Sequence, residues 1–347
     1  MRGAFCSTAP IQAQGHGGGS SSYYELAALK QVCSLIDIIQ PTGSLEAHYP
    51  GNAFMPDYEC ALGVHQEVDV AVYNGGPWSA TLRVLGAQLN IVDCPAHNLA
   101  LSIEEWEKHG GPYPFKHMSD PDLFKVYSRF LRECDVIITQ ARMSIGWLAD
   151  LGIDPGKCVV VPGGCHYPQS IPPMPDEFGV GYLGALGTDK GVNYLLQAWL
   201  AQGVKGGQLV LAGQDTDKVA EQVTRLNSTA KAVGMGRVPD ITDFWKQVTV
   251  YVQPSVTEGF GLPVLEALSY GRPVIVTENT GAAELIDEGI DGFVVPIRRP
   301  DVIVEALEWF RKNPGKAYEM GSAGRKKAKS YTWERAQKEY ERIIRGV

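Results

Sequence analysis

The stretch Glu258-Gly259-Phe260-Gly261-Leu262-Pro263-Val264-Leu265-Glu266 sets two carboxylates around a glycine turn. The apolar run 248–252 before it reads as a buried strand. The glycines allow a tight turn and close approach of backbone to a ligand. Pro263 suits the first turn of a helix, and Gly271 with Pro273 suits its end. Strand, turn and helix together present N–H groups and the positive end of a helix dipole, which favour an anion. Val264, Leu265 and Leu268 form the apolar face of that helix and leave Glu266 without a core role. Two acids beside an anion site suit a ligand that carries phosphate and hydroxyls together, such as a sugar phosphate or a nucleotide sugar.

Further loops have matching chemistry. Gly187-Thr188-Asp189-Lys190-Gly191 sets a lysine where a helix begins, and a cation with helix-start N–H groups suits a diphosphate. The competing reading of Lys190 is a solvated surface lysine. Gly213-Gln214-Asp215 gives another glycine turn, and Gly236-Arg237-Val238 offers backbone groups to a flat base. Glu284, at the start of a helix over 281–287, serves a ligand or the helix dipole equally well. In the first half, a glycine-rich loop containing Gly17 and Gly18 lies between a strand over 3–9 and a helix over 23–32, where a ligand can approach. A flexible surface loop is the plainer alternative. His97 follows a buried strand over 90–94, at the end of a strand where open parallel sheets bind ligands.

The elements that must position these loops alternate. Strands over 3–9, 35–40, 68–73, 90–94, 135–139 and 159–161, with helices over 79–89, 123–134 and 144–151, make a parallel α/β domain. Residues 41–66 read as irregular and 104–115 as a mobile segment. Residues 167–176 hold four prolines and read as a linker. A second series follows, with strands over 179–184, 208–212, 248–252, 274–277 and 293–295. Its helices span 192–200, 218–233, 263–270, 281–287 and 301–312, and a last helix covers 333–344. The expected domains are 1–166, a linker 167–177, 178–327 and a final segment 328–347. Gly179-Val180-Gly181-Tyr182-Leu183-Gly184 spells a dinucleotide fingerprint, but its glycines fall inside the strand rather than after it, so it reads as chance.

At 347 residues the chain can bury two cores, and 44% hydrophobic with 20% charged residues is ordinary for a globular protein. A net charge of −8 disfavours nucleic acid as a partner. The basic run at 325–329 reads as a solvated helix end; lipid contact there is the alternative. Seven scattered cysteines without a C-x-x-C pair suit a reducing compartment. Cys158, Cys165 and His166 are too few for structural zinc, so no metal site is expected. No run of about 20 apolar residues occurs, and no signal peptide is read. The expectation is a cytoplasmic protein, with peripheral membrane contact left open.

On the E-G-F-G-L-P-V-L-E turn, Asp189-Lys190-Gly191, Gln253-Pro254-Ser255 and Gly271-Arg272-Pro273-Val274, residues 178–347 resemble the donor domain of the retaining GT-B glycosyltransferases of family four, the group one transferases. The N-terminal half is similar only in layout and in its glycine loop. The resemblance implies two Rossmann-like, doubly wound parallel-sheet domains facing a cleft. It implies a hexosyltransferase that moves sugar from a nucleotide diphosphate sugar, a UDP- or GDP-sugar, to a glycan, lipid-linked or small-molecule acceptor, with retention and without metal. Glu266 would hold the ribose and Glu258 the sugar hydroxyls. The N–H groups beside Gly259, of Phe260, Gly261 and Leu262, would face sugar and distal phosphate. Lys190 would neutralise the diphosphate, the Gly213 turn would border the site, and Arg237 and Val238 would border the base. Gly17 and Gly18 would close from the first domain, His97 would sit near the sugar, and the final helix would cross back. One departure is Ala185, where the family carries a second diphosphate-binding arginine. It keeps a binding protein with little catalysis in play, beside a sugar phosphorylase of the same fold.

Overall fold

The computed structural model describes residues 1–7, 18–39, 68–74, 82, 85–94, 96, 98–109, 121–202, 207–226 and 230–346. The strands are β1 (Arg2–Ser7), β2 (Leu35–Ile39), β3 (Val70–Asn74), β4 (Leu89–Asp93), β5 (Val136–Thr139), β6 (Cys158–Val160), β7 (Phe178–Leu183), β8 (Gly207–Ala212), β9 (Ala232–Gly234), β10 (Val250–Gln253), β11 (Val274–Thr277) and β12 (Gly292–Val295). The helices are α1 (Gly18–Val32), α2 (Leu99–His109), α3 (Pro121–Glu133), α4 (Met143–Asp150), α5 (Val192–Gln202), α6 (Thr216–Leu226), α7 (Ile241–Trp245), α8 (Leu262–Ser269), α9 (Pro300–Lys312), α10 (Pro314–Ala328) and α11 (Trp333–Arg345). Two compact units result. One lies within Met1–Ala96, Pro114–Gly164 and Trp333–Val347, the other within His97–Tyr113 and Cys165–Thr332.

The first unit holds a parallel sheet in the order β2-β1-β3-β4-β5-β6. Ala4, Cys6, Ala71, Tyr73, Val92 and Ile137 point to one face, where Phe130 and Leu131 of α3 and Leu148 of α4 cover them. On the other face Val72, Ile91 and Ile138 meet Tyr340 and Ile344 of α11. Tyr24 of α1 stacks on Trp333 at the start of α11, with ring centroids 5.4 Å apart. Helix α1 begins at Gly18, earlier than the pattern from Tyr23 suggests.

The second unit repeats the plan in the order β12-β11-β10-β7-β8-β9, again parallel throughout. Strand order reverses between β7 and β10, and that is the point at which open α/β sheets leave a crevice. Alternate residues again part the two faces. Val180, Tyr182, Leu209, Leu211, Val250 and Val252 pack under α5 and α9. Val210, Tyr251, Val274 and Val276 pack under α7 and α8. Strands buried on both faces need apolar residues at nearly every position, which is why they stand out as runs in the sequence.

Several local expectations are corrected. The helix over 218–233 ends at Leu226, and Ala232–Gly234 is an edge strand. Residues 281–287 make only a 3₁₀ turn, Gly281–Leu285. Part of the segment taken as mobile, 104–109, is helical as the end of α2. Gly179 and Gly181 lie inside β7, where an added Cβ would sit 1.8 Å from the Gln247 carbonyl oxygen and 2.6 Å from Val248. They are packing glycines. The six described cysteines, at 6, 33, 94, 134, 158 and 165, are free thiols. Among the described residues no helix is long and apolar enough to cross a membrane.

Candidate donor site in the second unit

The loops after the strands of the second unit lock onto one another through backbone. Gly191, at φ 63°, approaches the end of β10 so closely that a Cβ would lie 2.0 Å from the Pro254 carbonyl oxygen. The Val256 N–H donates to the Asp189 carbonyl at 2.9 Å. This pairing fixes the Asp189-Lys190-Gly191 turn beside the start of the glutamate loop. Lys190 Nζ then donates to Glu258 Oε2 at 2.7 Å and lies 3.8 Å from Asp189 Oδ2. The lysine side chain keeps 29% of its exposure and Glu258 20%, so the pair faces solvent from a half-buried position. Burial works against the Lys190 ammonium, but Glu258 and Asp189 outweigh it and hold its pKa above the ordinary lysine value.

The glutamate loop is tied on its other side to the segment after β11. Glu258 N–H donates to the Asn279 carbonyl at 3.0 Å, and Gly281 N–H to the Glu258 carbonyl at 3.1 Å. The Ala282 N–H reaches the Phe260 carbonyl at 2.7 Å. Gly261 caps α8 in a left-handed conformation, φ 87°, and an added Cβ would stand 2.8 Å from Thr280 Cγ2. No L-residue with a side chain meets both demands easily. Phe260 is buried and anchors the turn in the core. Leu262 opens α8 with Pro263 behind it, and Glu266 follows on the half-buried side. Val264, Leu265 and Leu268 are fully buried, which separates their packing role from that of Glu266.

The remaining loops close the same end of the sheet. A Cβ on Gly213 would fall 2.1 Å from the Gly184 carbonyl oxygen. The Gly213 N–H donates to the Gly236 carbonyl at 2.7 Å. Gly236 N–H donates to Thr216 Oγ1 at 3.0 Å, and Arg237 Nη2 to Gln214 Oε1 at 3.0 Å. Arg237 is exposed, while Val238 packs on the core. Ala185 is exposed, and its carbonyl accepts from the Tyr182 hydroxyl at 2.5 Å. Burial pushes the Tyr182 phenol up, and Glu258 and Asp189 add to the rise. Burial likewise raises Tyr251, with Tyr182, Glu266 and Glu258 contributing. These phenols therefore stay neutral under the carboxylates.

Thus Lys190, Gly213, Arg237, Val238, Glu258, Gly259, Phe260, Gly261 and Leu262 sit on loops or helix starts at the C-terminal edge of one sheet, and Glu266 lies in the second turn of α8. Gly17 and His97 lie outside the described residues. Gly18 is the first residue of α1, in the first unit. Asn98, next to His97 in sequence, donates its N–H to Thr257 Oγ1 at 2.7 Å. Sequence reasoning missed Asn98 and Thr257; neither carries a motif, and their pairing spans 159 positions. Glu284 lies in the 3₁₀ turn after Thr280 and is exposed. Among the described residues no three His, Cys, Asp or Glu side chains gather as metal ligands.

The chain has the two-sheet GT-B fold, and its residues 177–313 match the family model of the glycosyl transferases group 1. The capsular polysaccharide biosynthesis glycosyltransferase CapM of Staphylococcus aureus is 28% identical over 180 residues, 49% of this chain and 47% of that protein. A D-inositol 3-phosphate glycosyltransferase of Kribbella flavida is 32% identical over 96 residues, 28% of this chain and 23% of that one. The chain spans about half the length of the curated relatives it matches. Among solved structures, sucrose-phosphate synthase from Thermosynechococcus elongatus superposes with TM-score 0.79 at 18% identity, over 99% of this chain and 98% of the other. Anabaena HepE in complex with UDP and glucose gives TM-score 0.74 at 16% identity over 100% of both chains.

Proposed function

We propose that this protein is a glycosyltransferase that takes a sugar from a nucleotide diphosphate sugar and passes it to an acceptor hydroxyl. The observation that carries this reading is the Lys190–Glu258 pair at 2.7 Å, set at the switch point of the second sheet. It offers a cation for a diphosphate and, beside it, a carboxylate for sugar hydroxyls. Glu266 on α8 is the ribose ligand in this account, and the Gly236-Arg237-Val238 loop borders the base. HepE, of the same fold, is known in complex with UDP-glucose, which supports a UDP-sugar as the first donor to try.

The barrier to transfer is departure of a charged diphosphate while positive charge grows on the sugar. Lys190 and the amides at the start of α8 stabilise the first charge where it develops. Glu258 orients the sugar and stabilises the second. In the retaining route, the departing phosphate itself receives the acceptor's proton on the face it leaves, and no protein base is required. Electrostatic stabilisation of this kind needs no bound metal. His97 is the first-half residue proposed to face the sugar.

One observation favours a second reading, a nucleotide-sugar-binding protein with little turnover. Ala185 puts no charge where related enzymes carry an arginine, and loss of a charged hydrogen bond costs roughly 1.5–3 kcal/mol. Arg237, held by Gln214 on the loop that touches Gly184, is the cation proposed to compensate.

Thermal shift with UDP, GDP, ADP and their glucose conjugates tests the donor site. One nucleotide series raises the melting temperature, since ligand at about 100 times Kd adds roughly 2.7 kcal/mol. If no diphosphate raises it, the site has been misread. Glu258→Gln separates the two readings, because it lowers turnover by on the order of 10²-fold or more in a transferase and changes little in a binding protein.

A further inference from the structure

Glu105 is fully buried on α2, yet its carboxylate serves several elements of the second unit. Arg298 Nε, in the turn after β12, donates to Glu105 Oε1 at 2.5 Å. The Tyr194 hydroxyl of α5 donates to Oε2 at 3.0 Å. His109 Nε2 lies 3.5 Å from Oε2 and 3.2 Å from the Tyr194 oxygen. Glu104 takes the outer side of the guanidinium, 3.0 Å from Arg298 Nη1. Lys108 Nζ donates to the Tyr194 hydroxyl at 3.4 Å. Burial pushes the Tyr194 phenol up to about 12 and its bond to Glu105 adds to the rise, so it remains a neutral donor.

Docking one helix does not need such a network. Leu101 already packs α2 on the core under α5 and α9. A buried carboxylate is a costly way to gain adhesion, and its return is a fixed geometry. Arg298 also holds φ at 61°, a left-handed conformation that a residue with a side chain keeps only where its surroundings enforce it. The geometry fixed is that of the other end of α2. There Asn98 Oδ1 accepts from Leu101 N–H at 3.2 Å and Asn98 N–H donates to Thr257 Oγ1 at 2.7 Å. Thr257 is fully buried and immediately precedes Glu258.

We infer that Glu105, Arg298 and Tyr194 are positioning residues for sugar transfer. Their network sets the seating of α2, and through Asn98 it holds the Thr257–Glu258 peptide that aims the Glu258 carboxylate. None of them touches the reacting atoms. The inference rests on the reading of Glu258 as the sugar-facing carboxylate.

Hydrogen exchange of the full-length protein and UDP release from UDP-glucose test it together. Tyr194→Phe removes a single oxygen and keeps the packing; Glu105→Gln and Arg298→Met cut deeper. The expected result is faster exchange, by about tenfold, in peptides covering 98–104 and 255–262, with 207–212 unchanged. The kcat falls by about tenfold or more while KM for UDP-glucose stays within about twofold, because a small misplacement of a reacting group is felt in the chemical step. Arg298→Lys recovers part of what Arg298→Met loses. Exchange over 255–262 that is unchanged in both Tyr194→Phe and Glu105→Gln overturns the inference, whatever the turnover. Glu258→Gln is the separate control. If it leaves UDP release intact, the donor reading fails, and the exchange result still decides whether α2 seats the loop.

Discussion

Each sheet of the molecule puts carboxylates at the C-terminal ends of its strands, and the two units treat them in opposite ways. In the second unit Glu258 is half-buried and bound to Lys190 at 2.7 Å. In the first unit Asp93, at the end of β4, is almost fully buried, and the side chain it meets is another acid, Glu25. It shares a small cavity with Glu25 of α1 and Tyr340 of α11. Glu25 in turn accepts from Asn74 Nδ2 at 3.0 Å. Burial pushes the Asp93 carboxyl above the usual range, and its contact with Glu25 offsets part of this. One unit thus keeps a charged carboxylate beside a cation and open to solvent, as a binding site for a polar ligand requires. The other holds an acid under a helix, where a proton is the partner that burial favours.

The largest expected effect is on turnover. Glu258→Gln lowers transfer by on the order of 10²-fold or more, the scale seen when one group that stabilises developing charge is removed. Asp93→Asn leaves the donor KM unchanged. Steady-state kinetics of the two variants would break the contrast if Asp93→Asn proved the more damaging.

Next in size are the glycines that hold the loops. Gly191→Ala destabilises by roughly 2–4 kcal/mol, since it adds left-handed strain and a clash with the Pro254 carbonyl. Gly86→Ala in the first unit costs less, because at φ 54° nothing lies within 4 Å of an added Cβ. Urea unfolding of both variants checks the difference.

The acids themselves predict opposite pH behaviour. Asp93 has a folded pKa raised above its usual 3.8, so the unfolded chain releases this proton first and stability falls as pH rises past about 4. Asp93→Asn removes that fall, and at pH 8 is more stable than the native protein. Lys190 has a raised pKa, so its contribution is complete below about 10.5 and is lost as pH climbs through the raised folded value. Lys190→Met costs less than about 1 kcal/mol at pH 8, because the pair is partly solvated, and the deficit closes at higher pH. Melting curves across pH 4–11 would show both trends.

The difference between the units also sets what the sequence reveals. Strands β7, β8, β10 and β11 are buried on both faces, and they read as apolar runs ending in glycine turns. The loops they deliver are short and local, so the Glu258–Glu266 motif and Lys190 are legible. Strand β9 is not, because three half-buried residues at a sheet edge, after Lys231, follow directly on a helical pattern. Helix α2 is obscured by the glycines and prolines just beyond it at 110–114. The Glu105–Arg298 contact spans 193 positions, and Asp93 and Tyr340 are farther apart still in the sequence. Such pairs leave no spacing signal, since only the closed fold brings them together.

The central claim is that the switch-point loops of the second unit hold a nucleotide diphosphate through Lys190. Calorimetric titration of UDP against UMP, with GDP and GMP in parallel, tests it in the native protein and in Lys190→Met. The account predicts that in one base series the diphosphate binds at least about tenfold more tightly than the monophosphate, the scale of a charged hydrogen bond, and that Lys190→Met removes this preference. Equal binding of mono- and diphosphate in the native protein, or a preference that survives in Lys190→Met, would contradict it.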